Sequence, residues 1–478
     1  MSYIQGVDRG QTQLLPASVE EYVGANASVR VIDVFVDTLK MDALGFERAR
    51  PAGTGRPPYD PRDLLKLYVY GYLNRVRSSR RLEGEARRNL EVMWLLRGVC
   101  PDFKTIADFR KDNKASFKGV LREFNLLCRK LDLFGAELVA IDGAKFKAVN
   151  SPKRHHTAEQ LQELIRQVDA RIEEYVGRLD AEDADTAELP GPPTTAELQA
   201  KLATLKERHA EHAANLEALV QSGRTELSLT DPDSRGQKKV GVGYNVQIAV
   251  DAKHHLIVEA EAVQDQNDLG QLHPIARAAQ TSLAVEKLTA VADTGYHEAG
   301  QLEKCEQDGI KTYVPASRGT SGQAPGGKRV YPKTDFTYND EQDVYRCPAG
   351  QQLSRGYAGE THGKARDYYY NVAACAACAQ RAECTTGKFR KISRLENEDV
   401  VERQAARVAA KPEIVAQRKT IVEHVFGTLR LDGHDEFLCR GLEKVRAEFS
   451  LSALSYNLRR ALNVLSVEKL LAGLANPA

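Results

Sequence analysis

Three acidic residues, Asp142, Asp293 and Glu423, have the type and setting that phosphodiester chemistry needs. Each aspartate follows a short apolar run of β type, Leu138 to Ile141 before Asp142 and Leu288 to Ala292 before Asp293. Each is followed closely by glycine, at Gly143 and Gly295. Glu423 lies instead within RKTIVEHVFGTLR, a helical segment. Magnesium takes oxygen ligands from one or two carboxylates, water and substrate phosphate. Two such ions about 3.5–4 Å apart clamp the attacking and leaving oxygens of an in-line displacement. Two strand-end aspartates and a helix-borne glutamate could build that pocket, and crowding of the three carboxylates would make cations obligatory. Each acid alone has a plainer reading. An aspartate before glycine is commonly a turn residue, and Glu423 has Lys419 at i−4, the spacing of a surface pair.

The elements that would position these acids can be read along the chain. Its 478 residues, 42% of them hydrophobic, suit a globular protein of about three domains. Residues 1–135 read as helical, with Asp60-Pro61 as an N-cap and N1 pair opening RDLLKLYVYGYLNRV. SRRLEGEARRNLEVMWLL reads as the next helix, Gly98 and Pro101 break it, and KTIADFRKDN follows as a short basic helix. That rhythm is the one a helix-turn-helix shows. A first strand at about 137–142 is followed by a helical insert. GYNVQIAVD and LIVEAEAV then read as a hairpin around Asp251 to His255. Helices at about 268–283 and 297–308 bracket the strand that ends at Asp293, and TYVPA is a further strand. This order suits an α/β protein with a mixed sheet flanked by helices. The insert at 157–222 carries two leucine-rich stripes separated by Pro190-Gly191-Pro192-Pro193, which predicts a helical hairpin rather than a dimerising coiled coil. A final helix is expected from about Leu442 to Leu465.

Charge is balanced overall at +1 but unevenly placed. The stretch from Arg75 to Lys130 is rich in Lys and Arg, and the insert is rich in Asp and Glu. A basic module beside an acidic one fits a polyanion-binding region followed by a solvated insert. A second basic tract, with Lys388, Arg390, Lys391, Arg394, Arg403 and Arg407, either tracks phosphates or is a solvated helix. MSYIQGVDRGQTQ has no apolar stretch of signal-peptide type, and no apolar run reaches the roughly 18 residues of a membrane span, so a cytosolic protein is expected. In that setting disulfides are not expected. Cys347, Cys375, Cys378 and Cys384 form a cluster whose Cys375-x2-Cys378 spacing suits thiolate coordination of structural zinc. Reduced, metal-free thiols are the alternative.

AIDGAKFKAVNS, VADTGYHE and RKTIVEHVFGTLR resemble the three catalytic motifs of bacterial insertion-sequence transposases of the DDE superfamily. YDPRDLLKLYVYGYLNRVRSSRRLE and PDFKTIADFRKDN resemble the helical DNA-binding domain of one large group of them. TDPDSR, VGYNVQIAVD and the later CPAG and CAACAQRAEC resemble further segments of that group. The resemblance spans nearly the whole chain, with its motifs in the expected order.

The resemblance implies an RNase H-like catalytic domain at 136–316 and 412–470. A helical DNA-binding domain at 1–135 would precede it. The hairpin insert at 157–222 and a Cys-rich, basic insert at 317–411 would interrupt it. It implies Mg2+ or Mn2+ held by Asp142, Asp293 and Glu423, with water attacking the transposon end and the freed 3′ hydroxyl attacking target DNA. Arg430, at i+7 from Glu423, matches the family's basic residue on the glutamate's helix face. Arg418 is five residues before Glu423 and Lys419 four, out of step with the family's arginine. Val415 and Ala416 stand where a tyrosine is expected, so a hairpin intermediate is not implied. Double-stranded DNA, as terminal inverted repeats and target, is the implied partner. Arg80, Arg81, Lys104, Arg110 and Lys111 are the candidate contacts. A homodimer or higher assembly acting near the bacterial nucleoid is implied, with no membrane. A catalytically silent DNA-binding descendant and a nuclease without strand transfer are the alternatives. His297 and His424 adjoin the acids and are expected to support the structure, with proton transfer or phosphate contact as the alternative, and Asp231 and Asp233 are expected in a turn rather than lining the pocket.

Overall fold

Alternation of apolar residues along 241–263 builds the expected hairpin, and the rest of the main sheet assembles on it. The computed structural model describes residues 18–51, 57–184, 195–316, 330–361 and 364–475. Strands β1 (Leu138–Lys147), β4 (Arg235–Gln237), β5 (Gly241–Asp251), β6 (Ile257–Val263), β7 (Leu288–Val291) and β8 (Ile310–Tyr313) form a six-stranded mixed sheet. Two short strands, β2 (His155–Thr157) and β3 (Glu226–Ser228), pair separately at the foot of the insert. In the main sheet β5 lies antiparallel to β1, and β6 and β4 both pair with β5. On the other side of β1 lie β7 and then β8, both parallel. Helices Leu272–Leu283 and Ala299–Gln307 make the connections that parallel strands require.

The first strand is longer than the sequence suggests. It does not stop at Asp142 but continues to Lys147, because β5 pairs with it from Val139↔Asp251 through Lys147↔Gly243. Gly143 is therefore a strand residue, not a turn. A Cβ there would lie 2.4 Å from Gln247 Nε2 and 2.9 Å from Asp268 Oδ1, so glycine is what lets those polar groups reach the strand.

The amino-terminal region is helical as expected, with Ser28–Thr38, Pro61–Leu73, Ser79–Arg88, Leu90–Leu95, Phe103–Asp112 and Phe117–Lys130 as its main helices. The single helix expected over SRRLEGEARRNLEVMWLL is two. Asn89 is extended, and its side chain accepts from the N–H groups of Glu91 and Val92, capping a new helix. One apolar core runs without a break from these helices through the sheet to the Leu442–Val464 helix. Buried Asn125 and Asn457 join the two regions: Asn457 Nδ2 donates to Asn125 Oδ1, and both donate to the Ile257 carbonyl. A last helix, Val467–Ala475, follows the one expected to close the chain.

The insert is two helices, Ala158–Ala184 and Thr195–Gln221, packed on one another. The Pro190–Pro193 turn lies outside the described residues. The cysteine-bearing segment holds a second, five-stranded antiparallel sheet that its sequence did not announce. Its strands are β9 (Thr337–Asn339), β10 (Val344–Arg346), β11 (Gln352–Thr361), β12 (Lys364–Tyr370) and β13 (Lys391–Leu395), in the spatial order β13-β12-β11-β10-β9. Phe336, Tyr345, Leu353, Tyr369 and Ile392 form its small separate core.

Candidate active site

Parallel pairing of β1 with β7 sets the two aspartates side by side. The register matches Val139 with Ala290 and Ala140 with Val291, so two residues further on Asp142 faces Asp293, just past the end of β7. Asp293 also caps the short turn Thr294–Tyr296, its Oδ1 accepting from Gly295 N at 2.8 Å. The turn role is thus real and leaves the second carboxylate oxygen outside it.

Glu423 is delivered by the Pro412–Leu431 helix. Ile421, Val422, Val425, Phe426 and Leu429 bury one side of that helix, while Glu423 stays exposed. An aromatic cluster fixes the helix to β1: the Phe146 ring lies 6.2 Å from Phe426, 5.9 Å from Phe437 and 5.8 Å from Phe449. Such pairs contribute about 0.5–1.5 kcal/mol each beyond their area. Phe146 lies four residues after Asp142 on the same strand face, and Phe426 lies three after Glu423 on the same helix. Packing of those two rings therefore also sets the approach of the two acids.

Arg418 closes the arrangement. Its Nη1 donates to Asp142 Oδ2 at 2.8 Å and its Nη2 reaches Glu423 Oε1 at 3.5 Å. Glu423 thus pairs with Arg418, not with Lys419 at i−4. The Arg418 and Asp142 side chains are only 12% and 17% exposed, against 55% for Glu423. Burial pushes the Asp142 carboxyl up to about 6, and Asp293 adds to the rise, while Arg418 and the Gly143 N–H oppose it. The site thus holds crowded carboxylates with one cation, a guanidinium, shared between the first and third.

Asp268 was not singled out from the sequence. It lies in the loop before the Leu272–Leu283 helix and accepts from the fully buried Asn245 and Gln247, both at 2.7 Å. Lys145 Nζ stands 3.4 Å away. Tyr296, in the Asp293 turn, donates its hydroxyl to Gln247 Oε1 at 2.5 Å. This chain of contacts ties the turn that holds Asp293 to β5 and to Asp268. The Tyr296 hydroxyl is pushed well above its usual range, first by burial and then by Asp268, Asp142 and Asp293. Nothing in the string VQDQNDLG distinguishes Asp268 from an ordinary loop residue.

The neighbouring candidates fall into supporting places. His424 packs on His255, ring centroids 4.8 Å apart, and its Nε2 lies 3.3 Å from the Tyr456 hydroxyl. His297 N donates to the Thr294 carbonyl at 3.1 Å, closing the Asp293 turn. Asp231 and Asp233 accept from the N–H groups of Gly441 and Leu442, pinning the start of the last long helix. Arg430 is exposed in the last turn of the Glu423 helix. Of the basic amino-terminal residues, Arg80, Arg81, Lys104 and Lys111 are exposed, with Arg80 over the Phe103 ring at 4.9 Å. Arg110 departs from the set, because it turns inward over the Tyr68 ring at 5.7 Å, with Nη1 buried and unpaired. In the second basic tract, Arg394 pairs with Glu402, Arg403 with Glu306 and Asp399, and Arg407 with Glu306. Much of that tract is engaged within the fold.

The four clustered cysteines are not joined by disulfides and line one small pocket with Phe336, Leu353 and Arg390. Burial raises the Cys384 thiol, Arg390 opposes, and the thiols of Cys375, Cys347 and Cys378 raise it further, as expected of four sulfurs brought close. Among the described residues, no three His, Cys, Asp or Glu side chains are arranged around a common metal position, at the cysteines or at the acids. Among the described residues, too, no helix is long and apolar enough to cross a membrane.

Comparison with known proteins bears on both ends of the chain. Residues 17–112 match the transposase domain family DUF772. Residues 346–462 match the transposase DDE domain family, a span that takes in the cysteines, Arg418 and Glu423 but neither aspartate. No curated protein matches the chain. Among solved structures, a piggyBac transposase synaptic complex with hairpin DNA aligns over 94% of this chain and 80% of that chain, at 8% identity and a TM-score of 0.31, too slight a likeness to carry weight. The two family matches, a transposase domain towards one end and a DDE domain towards the other, support a DDE-type transposase.

Proposed function

We propose that this protein is a transposase that cleaves and joins DNA strands at Asp142, Asp293 and Glu423. The observation that carries the reading is the β1–β7 register, which sets Asp142 beside Asp293, together with Arg418, which links Asp142 to Glu423. The sheet supports an RNase H-like catalytic domain: an antiparallel hairpin on one side of β1, two parallel strands on the other, and the acids at β1, after β7 and on a later helix.

The donor chemistry fits divalent cations. Asp142 and Glu423 already share one cationic group, and the Asp142 carboxyl is raised first by burial and then by Asp293, both of which nearby positive charge would offset. Asp142, Asp293 and Glu423 would hold magnesium or manganese, which supplies Lewis-acid activation of water and neutralises phosphate charge. The protein's own residues do the rest. The Phe146 cluster orients the Glu423 helix, the Tyr296–Gln247–Asp268 contacts hold the Asp293 turn, and Arg430, exposed in the last turn of the Glu423 helix, is the proposed contact to a DNA phosphate. Arg80, Arg81, Lys104 and Lys111 are the proposed contacts to terminal-repeat DNA, whereas Arg110 is half-buried and turned over the Tyr68 ring. The four thiols have the donor chemistry of a structural zinc site that would brace the second sheet. The active form is proposed to be a homodimer or higher assembly on paired ends in the bacterial cytoplasm.

Incubation with magnesium, labelled end DNA and a target plasmid tests the proposal. Joined products are expected from the wild type and none from Asp142→Ala, Asp293→Ala or Glu423→Ala. Cleavage without joining would reduce the activity to that of a nuclease. Joining by any of the three variants would overturn the site.

A further inference from the structure

The second sheet has one buried face and one open face. Tyr345, Leu353, Tyr369 and Ile392 point into its small core. Strand register puts the alternate residues on the opposite face: Arg346 beside Gln352; Ser354 beside Tyr370 and Lys391; Tyr357 beside Tyr368 and Ser393; Gly359 beside Arg366 and Leu395. Among the described residues of that face there are three tyrosines and three cationic side chains but no aspartate or glutamate.

The rings are arranged, not scattered. Tyr357 and Tyr368 stack with centroids 4.7 Å apart and planes 24° apart. Tyr370 lies 6.4 Å from Tyr357 and 5.2 Å from Phe389. Lys391 Nζ stands 4.8 Å from the Tyr368 ring centre and 5.4 Å from that of Tyr357, and donates to the Tyr357 hydroxyl at 2.9 Å. Two glycines of β11 make room. A Cβ at Gly356 would fall 2.0 Å from Tyr370 Cε1, and one at Gly359 would fall 3.2 Å from Tyr368 Cε2. Covering strand glycines with rings can serve stability alone. That role needs neither the 46% exposure of Tyr357 nor a face free of carboxylates.

We propose that this face binds an unpaired stretch of DNA, with bases stacking on the Tyr357 and Tyr370 rings and phosphates meeting Lys391, Arg366 and Arg346. Aromatic rings interleaved with cations suit single strands, whose bases offer open π-faces that a duplex keeps stacked inside. The inference rests on the strand-cleaving reading above, since opening a DNA end is what would present such a strand.

The test uses the full-length protein and fluorescence anisotropy. One probe is a labelled oligothymidine of about 12 nucleotides, within the span one such site covers. The other is a duplex of equal length. Tyr357→Ala combined with Tyr370→Ala is expected to weaken oligothymidine binding about 10-fold or more and to leave duplex binding unchanged. Tyr357→Trp guards against misfolding: it should keep the affinity, and its emission should be quenched by oligothymidine. Unchanged affinity in the double variant would overturn the proposal, as would equal losses on both probes. A change of sedimentation in the double variant without DNA would also overturn it, by showing that a second copy of the chain covers the face. Magnesium-dependent cleavage by the wild type is scored separately. Binding without cleavage counts against the cleavage reading alone, and cleavage without tyrosine-dependent binding counts against this one alone.

Discussion

Arg418 and Asp142, 276 residues apart in the chain, form a shielded ion pair at 2.8 Å, and the same guanidinium touches Glu423. A charged side chain therefore occupies the region where the proposed function needs divalent cations. The two must compete for the same carboxylate.

Removing that guanidinium has a predictable sign. Arg418→Ala leaves Asp142 beside Asp293 without its partner, and breaking such a pair costs on the order of 3 kcal/mol when it is well buried. The variant should unfold at a lower temperature than the wild type in metal-free buffer at pH 7. Added magnesium should raise its melting temperature more than it raises that of the wild type. Equal magnesium shifts in the two proteins would show that Arg418 and the metal do not compete.

The pH dependence of the metal-free protein follows from Asp142. Burial lifts its carboxyl to about 6, above the ordinary aspartate value of 3.8, so between those two pH values the folded state holds a proton there that the unfolded state has lost. That contribution is full below pH about 4 and is lost as pH rises through about 6, worth at most about 3 kcal/mol. Asp142→Asn should flatten this part of a urea-midpoint titration. A variant that tracks the wild type across pH 4–7 would remove Asp142 as the cause.

The Tyr296–Gln247 contact offers a test of how Asp293 is held. Tyr296→Phe removes one hydroxyl and leaves Gln247 Oε1 buried without its donor, a loss of about 1–3 kcal/mol. Cleavage should slow while affinity for end DNA stays level, because the Asp293 turn loosens and the amino-terminal helices do not. Parallel losses in binding and cleavage would instead indicate a global defect.

The cysteine pocket predicts about one zinc per purified chain by elemental analysis. Cys378→Ser should lower that content, and chelation should expose sites near the second sheet to protease before the main sheet is attacked. A metal-free protein with an equally resistant second sheet would assign the thiols a packing role only.

Much of the main sheet and its helices is legible in the sequence because strand and helix periods are local signals. The β5–β6 hairpin, the Asp293 strand and the Glu423 helix all stand close to where alternation and spacing place them. What is not legible depends on contacts between distant segments. Asp142 reads as a strand end because Gly143 resembles a turn residue, and only pairing with β5 shows the strand continuing. Arg418 is out of phase with Glu423 on their shared helix, and its main partner, Asp142, lies on another element. Asp268 gains its place only when Asn245 and Gln247 fold against it. The second sheet escaped because three of its strands have five residues or fewer and the two longer ones, β11 and β12, mix Tyr and Arg, with Gly in β11, so the buried alternation is hard to see.

The central claim is that Asp142, Asp293 and Glu423 act as one unit. The most direct measurement is single-turnover cleavage of end DNA in magnesium by the three single alanine variants and the triple variant. Groups that work together lose nearly everything when any one is removed. The account predicts that each single variant falls to the residual rate of the triple variant. A single variant that keeps a substantial fraction of wild-type cleavage, or losses that multiply from one variant to the next, would contradict it.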